Sequence, residues 1–397
     1  MPQISTRASS AQASPLRKLI PFADATKARG TKVYHLNIGQ PDLETPAEIL
    51  TAIKNFDKQT VEYAPSTGIL ICNQAWEKYY QDNGIDLKAD EIIVTSGGSE
   101  AIAFAISIVT DPEEEVLAFE PFYTNYNGFA SLVGSKVVPV RTNVEDGFRL
   151  PSREDIEAKI TDKTKAIIIC NPNNPTGTVY TKEEMQRLVD IAKERDLFIL
   201  SDETYREFNL DGDGRTVSMM DFPEVADRVI VQDSISKRFS SCGLRIGCLA
   251  SKNKDVIACA LKFGQARLSV ATIDQVAAIP ALENSAKLVP PVVEEYKKRR
   301  DVVYEALQKM DGVTCLKPEG AFYAFPRLPI DDSEDFAKWI LEKYENNGET
   351  VMIAPAPGFY ATPGLGKNEI RIAYVLNCND LKQAMNLLAD ALKKYSK

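Results

Sequence analysis

Residues 91–250 alternate short β-rich runs with helical patterns, and this alternation restricts the fold more than any other feature of the chain. Segments 91–95, 116–119, 136–140, 166–170, 197–200 and 229–231 read as strands. Segments 99–109 and 182–195 read as helices between them. Such a repeat predicts an α/β fold: a mostly parallel sheet with helices on both faces. Sites in such sheets gather beyond the carboxyl ends of the strands.

From about residue 290 the character changes. Segment 292–310 is rich in charge and reads as a long helix. Strand-like pieces follow at 321–326 and 370–375, then a closing helix at 380–394. A chain of 397 residues is too long for one small core. We expect a large domain over 49–290 and a smaller α+β domain built from both termini, 1–48 with 291–397.

Composition removes several functions. The formal charge is −9 and the sequence pI about 5.1, which disfavours nucleic-acid and anionic-membrane partners. No apolar run approaches the ~20 residues that span a bilayer. Residues 1–14 are polar and lack the apolar segment of a secretory signal. Seven cysteines are scattered without a C-x-x-C pair, which fits reduced thiols in the cytoplasm better than disulfides or zinc. The single histidine, His35, leaves no material for a His-rich metal site, and we expect it to pack or hydrogen-bond. Acid–base work therefore falls to a lysine, tyrosine or carboxylate.

Four strings can carry chemistry. In Ser234-Ile235-Ser236-Lys237, followed by Gly243-Leu244-Arg245-Ile246-Gly247, a lysine lies among hydroxyls and a guanidinium. Those groups hold phosphate, and an amine near a carbonyl is a nucleophile; the alternative is a solvated surface lysine. Thr95-Ser96-Gly97-Gly98-Ser99-Glu100 joins a strand to a helix, either as an anion site at the helix start or as a tight turn capped by Ser99. Asn171-Pro172-Asn173-Asn174-Pro175-Thr176-Gly177 is a turn that can also present polar groups to a ligand. Asp202, at a strand end, needs a cationic partner such as a protonated pyridine nitrogen, or else caps the next segment; Tyr205 follows it.

Together these strings resemble the class I/II (fold type I) aminotransferases that depend on pyridoxal phosphate (PLP), of the aspartate aminotransferase kind. The resemblance also rests on Ile38-Gly39-Gln40-Pro41-Asp42, Tyr63-x-Pro65-x-x-Gly68, Pro121-Phe122-Tyr123, Gly320-Ala321-Phe322-Tyr323 and Arg371. The strings stand in the family's order and cover nearly the whole chain. The resemblance implies that Lys237 is the Schiff-base lysine and Asp202 the pyridinium partner. Asn174 and Tyr205 would address the ring hydroxyl oxygen, and Tyr123 would stack on the ring. Gly98, Ser99, Ser234 and Arg245 would form the phosphate cup, with Glu100 offering its backbone N–H. Arg371 would clamp the substrate α-carboxylate, with Asn174 and the Gly39 backbone beside it. Tyr63 would serve the neighbouring subunit's phosphate, which implies a homodimer with shared sites.

The implied reaction moves an amino group between an L-amino acid and a 2-oxo acid, with aspartate and 2-oxoglutarate as the default pair. A β-eliminating lyase on the same fold would use the same cofactor residues. An acidic substrate needs a second cation, and Arg17 and Lys18 stand in a segment that covers the site in similar enzymes. Two stretches depart from the family pattern. Ile69-Leu70-Ile71-Cys72 stands where Leu-Arg often follows the glycine, and we expect it to be local packing. Ala354-Pro355-Ala356-Pro357-Gly358-Phe359-Tyr360 replaces a simpler Pro-Gly loop and bears on the substrate pocket.

Overall fold

The computed structural model describes residues 2–10, 17–212 and 215–395. Residues 11–16, which lead into Arg17, lie outside them. The strands, in chain order, begin with β1 (Lys32–His35), β2 (Ile92–Ser96), β3 (Glu115–Glu120), β4 (Lys136–Arg141), β5 (Thr164–Cys170) and β6 (Phe198–Asp202). They continue with β7 (Val229–Ser234), β8 (Ile246–Ala250), β9 (Tyr323–Ala324), β10 (Glu349–Met352), β11 (Ala354–Pro355) and β12 (Ile370–Ala373).

Strands β2 to β8 form one sheet in the order β2-β8-β7-β6-β5-β3-β4. The pairs from β4 across to β7 are parallel, and β8 is antiparallel to both of its neighbours. All but β8 therefore run in one direction. The side-chain period of two sorts the apolar residues between the faces. Leu117, Ile167, Ile199 and Val231 join one buried cluster; Val116, Ile168, Leu200 and Ile230 join the opposite one. The expected α/β sheet is thus present, with its expected strands. β8 was not foreseen, because its short apolar run overlaps the end of the 243–247 string.

A second core gathers chain from both ends. β1 pairs in parallel with β10, Lys32 opposite Glu349, and β12 lies between β11 and β9. The long helix starts at Ser285, not at 292, and runs to Leu307. It contains Pro290 and Pro291 in its second turn, and each gives up one intrahelical N–H bond there. The closing helix is Cys378–Tyr395, amphipathic, with Leu381, Leu388 and Leu392 buried.

The turn after β5 joins the two cores. The Gly177 carbonyl accepts hydrogen bonds from the N–H groups of Glu319 (3.0 Å) and Gly320 (2.8 Å). Gly177 has a φ of +75°, and a Cβ there would strike the Tyr323 carbonyl and lie 2.8 Å from Pro318 Cβ. Gly177→Ala combines backbone strain with overpacking, so it should destabilise the chain by about 2 kcal/mol or more. A urea unfolding series checks this, and an unchanged midpoint would contradict the packing described.

Candidate active site

Because six strands of the large sheet run together, their carboxyl ends leave the sheet along one edge. β2 ends at Ser96 and passes into the helix Gly97–Val109, whose first-turn N–H groups have no partner within the helix. β5 delivers Asn174, β6 ends on Asp202, and β7 ends on Ser234 three residues before Lys237. β8 starts just after Arg245, so its reversed direction brings that guanidinium to the same edge. A cavity of about 890 Å³ opens there. It is lined by Gly39, Gly98, Ser99, Tyr123, Asn174, Asp202, Tyr205, Ser234, Lys237, Arg245 and Arg371.

Asp202 is buried. One carboxylate oxygen accepts hydrogen bonds from Thr204 Oγ1 (2.8 Å) and Thr204 N (3.3 Å), and the other accepts from Tyr126 Oη (2.8 Å). Burial raises its pKa, opposed by those hydrogen bonds. Among the described residues no cation pairs with it. Lys237 Nζ donates to the Gly39 carbonyl at 2.8 Å and lies 3.8 Å from Cys242 Sγ. Burial lowers the pKa of this amine; the Cys242 thiol works against that, and Arg371 and Arg245 add to it. Tyr205 and Tyr323 share a hydroxyl–hydroxyl bond of 2.8 Å, and burial pushes the Tyr205 pKa well up.

Arg371 is buried on β12. Nη1 donates to Asn174 Oδ1 (3.1 Å), Nη2 donates to the Asn37 carbonyl (2.8 Å), and Nε has no partner. Its guanidinium lies between the rings of Tyr323 (4.5 Å) and Phe359 (4.9 Å). The unusual 354–360 segment therefore holds Arg371: Ala354 pairs with it across β11 and β12, and Phe359 covers it. Arg245 takes a left-handed backbone, φ +55°, and its Nη1 donates to the Cys242 carbonyl at 3.1 Å. Ser234 Oγ donates to Ser236 Oγ (2.7 Å).

Some expected residues stand apart from the cavity. The Glu100 carboxylate turns back to accept from Ser96 N (2.8 Å) and faces Arg267 Nε at 3.4 Å, which leaves only its backbone on the site side. Tyr63 is 81 % exposed and does not line the cavity. Of the two cations the sequence offered for a substrate side chain, Arg17 lines the cavity, whereas Lys18 does not and pairs with Glu334. Cys72 is buried, as local packing requires, but Leu70 and Ile71 are exposed, so that expectation fails for those two. His35 hydrogen-bonds Asn37 Oδ1 through Nδ1 at 3.2 Å, and burial lowers its pKa. Sequence reasoning missed Tyr126, Thr204 and Cys242. Tyr126 reaches Asp202 from 76 positions away, whereas Thr204 and Cys242 are chain neighbours of Asp202 and Lys237 that the strings around them left without a role. Tyr323 and Tyr205 were each visible in a motif, but their pairing was not.

Residues 31–388 match the family model of aminotransferase class I and II. The chain is 32 % identical to a probable aspartate/prephenate aminotransferase of Aquifex aeolicus, over 98 % of this chain and 99 % of that one. It is 34 % identical to aromatic-amino-acid aminotransferase 2 of Thermococcus litoralis, over 98 % of both chains. Its structure superposes on the crystal structure of the aspartate aminotransferase of Thermotoga maritima with a TM-score of 0.89 at 32 % identity, covering 98 % of this chain and 100 % of the other. The chain belongs to the class I and II aminotransferase family, and it is a transaminase.

The lowered basicity of Lys237 has a direct consequence. In the folded chain its amine should become reactive toward an acylating reagent at a pH below the ~10.4 of a free lysine, because the neutral form is the nucleophile. Labelling across a pH series, read by peptide mass spectrometry at Lys237, checks this. A half-point at or above the free-lysine value would contradict it.

Proposed function

We propose that this chain is an aspartate:2-oxoglutarate aminotransferase whose cofactor is PLP, bound in the cavity through Lys237. The observation that carries the cofactor is the buried Asp202 carboxylate, which faces the cavity with no cation among the described residues. A buried carboxylate without a positive partner is costly, and a protonated pyridine nitrogen would supply one. PLP, when bound, supplies an aldehyde that condenses with amines and a ring that withdraws electrons from the substrate α-carbon. Gly98, Ser99, the Glu100 N–H, Ser234 and Arg245 would hold its phosphate. Tyr123 would cover the ring, and Tyr205 with Asn174 would meet its hydroxyl oxygen.

The remaining work belongs to the chain's own groups. Lys237 Nζ takes the proton from the substrate α-carbon and returns it during the reaction, a role that its burial suits. Arg371, with an unused Nε, receives the α-carboxylate beside the Gly39 backbone and Asn174. The preference for a dicarboxylic donor is supported by Arg17 at the cavity wall and by the aspartate aminotransferases among the similar proteins. Lys18 pairs with Glu334 and does not line the cavity, so it gives no such support. The domain division stays 49–290 against 1–48 with 291–397, and seven free thiols suit the cytoplasm.

A homodimer completes the proposal. Val61, Tyr63, Leu70, Ile71 and Leu268 are all more than half exposed, and large exposed apolar side chains in one region suit an interface. Tyr63 of each subunit would then reach the phosphate in the neighbouring one.

Two experiments test this reading. Borohydride treatment of the PLP-loaded chain should fix the label on Lys237, and Asp202→Asn should keep the label while losing about 10²-fold in transamination. Label on another lysine, or near-normal turnover in Asp202→Asn, would show the roles to be wrong. For the shared site, Tyr63→Phe and Lys237→Ala subunits should each be impaired, and mixing them under exchange should restore activity. One site of the mixed dimer then carries both changes and the other neither. A fully active monomer, or no recovery despite proven exchange, would count against the dimer.

A further inference from the structure

Behind the cavity, on the side of the chain that faces the core, lies a fully buried cluster of charge. Arg206 Nη2 is 2.7 Å from Glu203 Oε2 and 3.3 Å from Asp233 Oδ2. Arg238 Nε is 3.0 Å from Glu207 Oε2, and Arg238 Nη2 donates to Asp233 Oδ1. None of these five side chains lines the cavity. The aromatic helix Leu70–Asp82 closes the cluster: Tyr79 bonds Glu207, Tyr80 Oη bonds Asp233 Oδ2 at 3.3 Å, and the two guanidiniums lie over those rings.

The placement follows from alternation along two short stretches. After β6, Asp202 and Tyr205 face the cavity while Glu203, Arg206 and Glu207 face the core. Around the end of β7, Ser234 and Lys237 face the cavity while Asp233 and Arg238 face the core. Each arginine is thus the next residue after a cavity residue: Arg206 after Tyr205, and Arg238 after Lys237. Asp233 is the one carboxylate that touches both guanidiniums.

We propose that Arg206 and Arg238, bridged by Asp233, are positioning residues that fix Tyr205 and Lys237 relative to each other from behind the cavity. The clamp acts on the backbone of the two loops, so it sets where Nζ of Lys237 stands without touching a ligand. This rests on the function proposed above, in which Lys237 bears the cofactor. The charges agree with a clamp that is neutral as a whole. Three carboxylates face two guanidiniums that cannot lose their protons, so one acid must hold a proton for neutrality. Burial raises Glu207 to about 7, which marks it as that acid.

The count makes the bridge testable without an unpaired buried charge. In Asp233→Asn, Glu207 can ionise, and two carboxylates then balance two guanidiniums. In Asp233→Asn/Arg238→Met, Glu203 balances Arg206 while Glu207 keeps its proton. Both variants are measured as full chains loaded with PLP, with thermal unfolding as the control for fold. Asp233→Asn should lower kcat about 10-fold or more with the KM for aspartate changed less than about 3-fold, the pattern of a misplaced but intact site. PLP capture on Lys237, fixed by borohydride and quantified by mass spectrometry, should slow by a similar factor. The double variant should be worse on both readouts.

A folded Asp233→Asn chain with wild-type kcat and capture rate would overturn the clamp and leave the cluster as a support of the fold alone. If Asp233→Asn does not fold, the double variant decides by the same two readouts. If neither folds, the charge argument is wrong and the proposal falls with it. Failure of the wild-type chain to capture PLP on Lys237 would instead refute the underlying function, so the two failures are separable.

Discussion

The common direction of six strands is the constraint on which the site depends. Parallel strands release their turns at one edge, so Ser96, Cys170, Asp202 and Ser234, far apart in the chain, end side by side. The reversed strand β8 does not break this rule but uses it. Its amino end meets the carboxyl ends of β2 and β7, with Ser96 opposite Ile246 and Ser234 opposite Gly247. Arg245 therefore enters the cavity from a strand that points the other way. The second core then supplies Arg371 and Tyr323 from across the opening, through strands that the turn at Gly177 ties back to β5.

The cavity wall keeps buried charges that the described residues leave without an opposite, Asp202 and Arg371 among them. Asp202 has hydroxyls and an N–H but no cation, and Arg371 has carbonyl oxygens and rings but no carboxylate. A fold selected only for stability would pair or remove such groups, because a desolvated charge costs free energy that hydrogen bonds offset only in part. Leaving them unpaired is preorganisation. The hydrogen bonds hold each group in place, and a ligand of opposite charge meets it without rearrangement. The cluster behind the cavity shows the contrast, since there every charge faces an opposite one.

Much of this was legible in the sequence, for physical reasons that differ by element. The strands of the large sheet are buried on both faces, so they read as short apolar runs such as Ile167-Ile168-Ile169, and their limits came within a few residues. Lys237, Asp202 and Arg371 stood out because each sits in a string whose order matches a family, and the structure brings all three to one cavity. β1, β10 and β11 were not legible. They are two to four residues long, and their pairing partners lie far away in sequence. The bond from Tyr126 to Asp202 spans 76 positions, and no periodicity encodes it. The ion cluster escaped for the same reason, since Arg206 and Arg238 look like ordinary charges until the topology buries them.

The surroundings of Arg371 explain why a guanidinium, and not an ammonium, stands there. Two of its nitrogens are committed to Asn174 and Asn37, which fixes the plane of the group. Tyr323 and Phe359 cover it, and a planar ion can stack between two rings where a tetrahedral one cannot. With its plane set, the remaining N–H groups can offer a carboxylate parallel donors, the fork geometry that a lysine lacks. The same rings exclude water and so strengthen the attraction. Tyr323 also bonds Tyr205, and it comes so close to Gly39 that a Cβ there would collide with its hydroxyl. One aromatic side chain thus sets the spacing between the arginine, the tyrosine after β6 and the glycine whose carbonyl holds Lys237, and the absence of a side chain at Gly39 is a condition of that spacing.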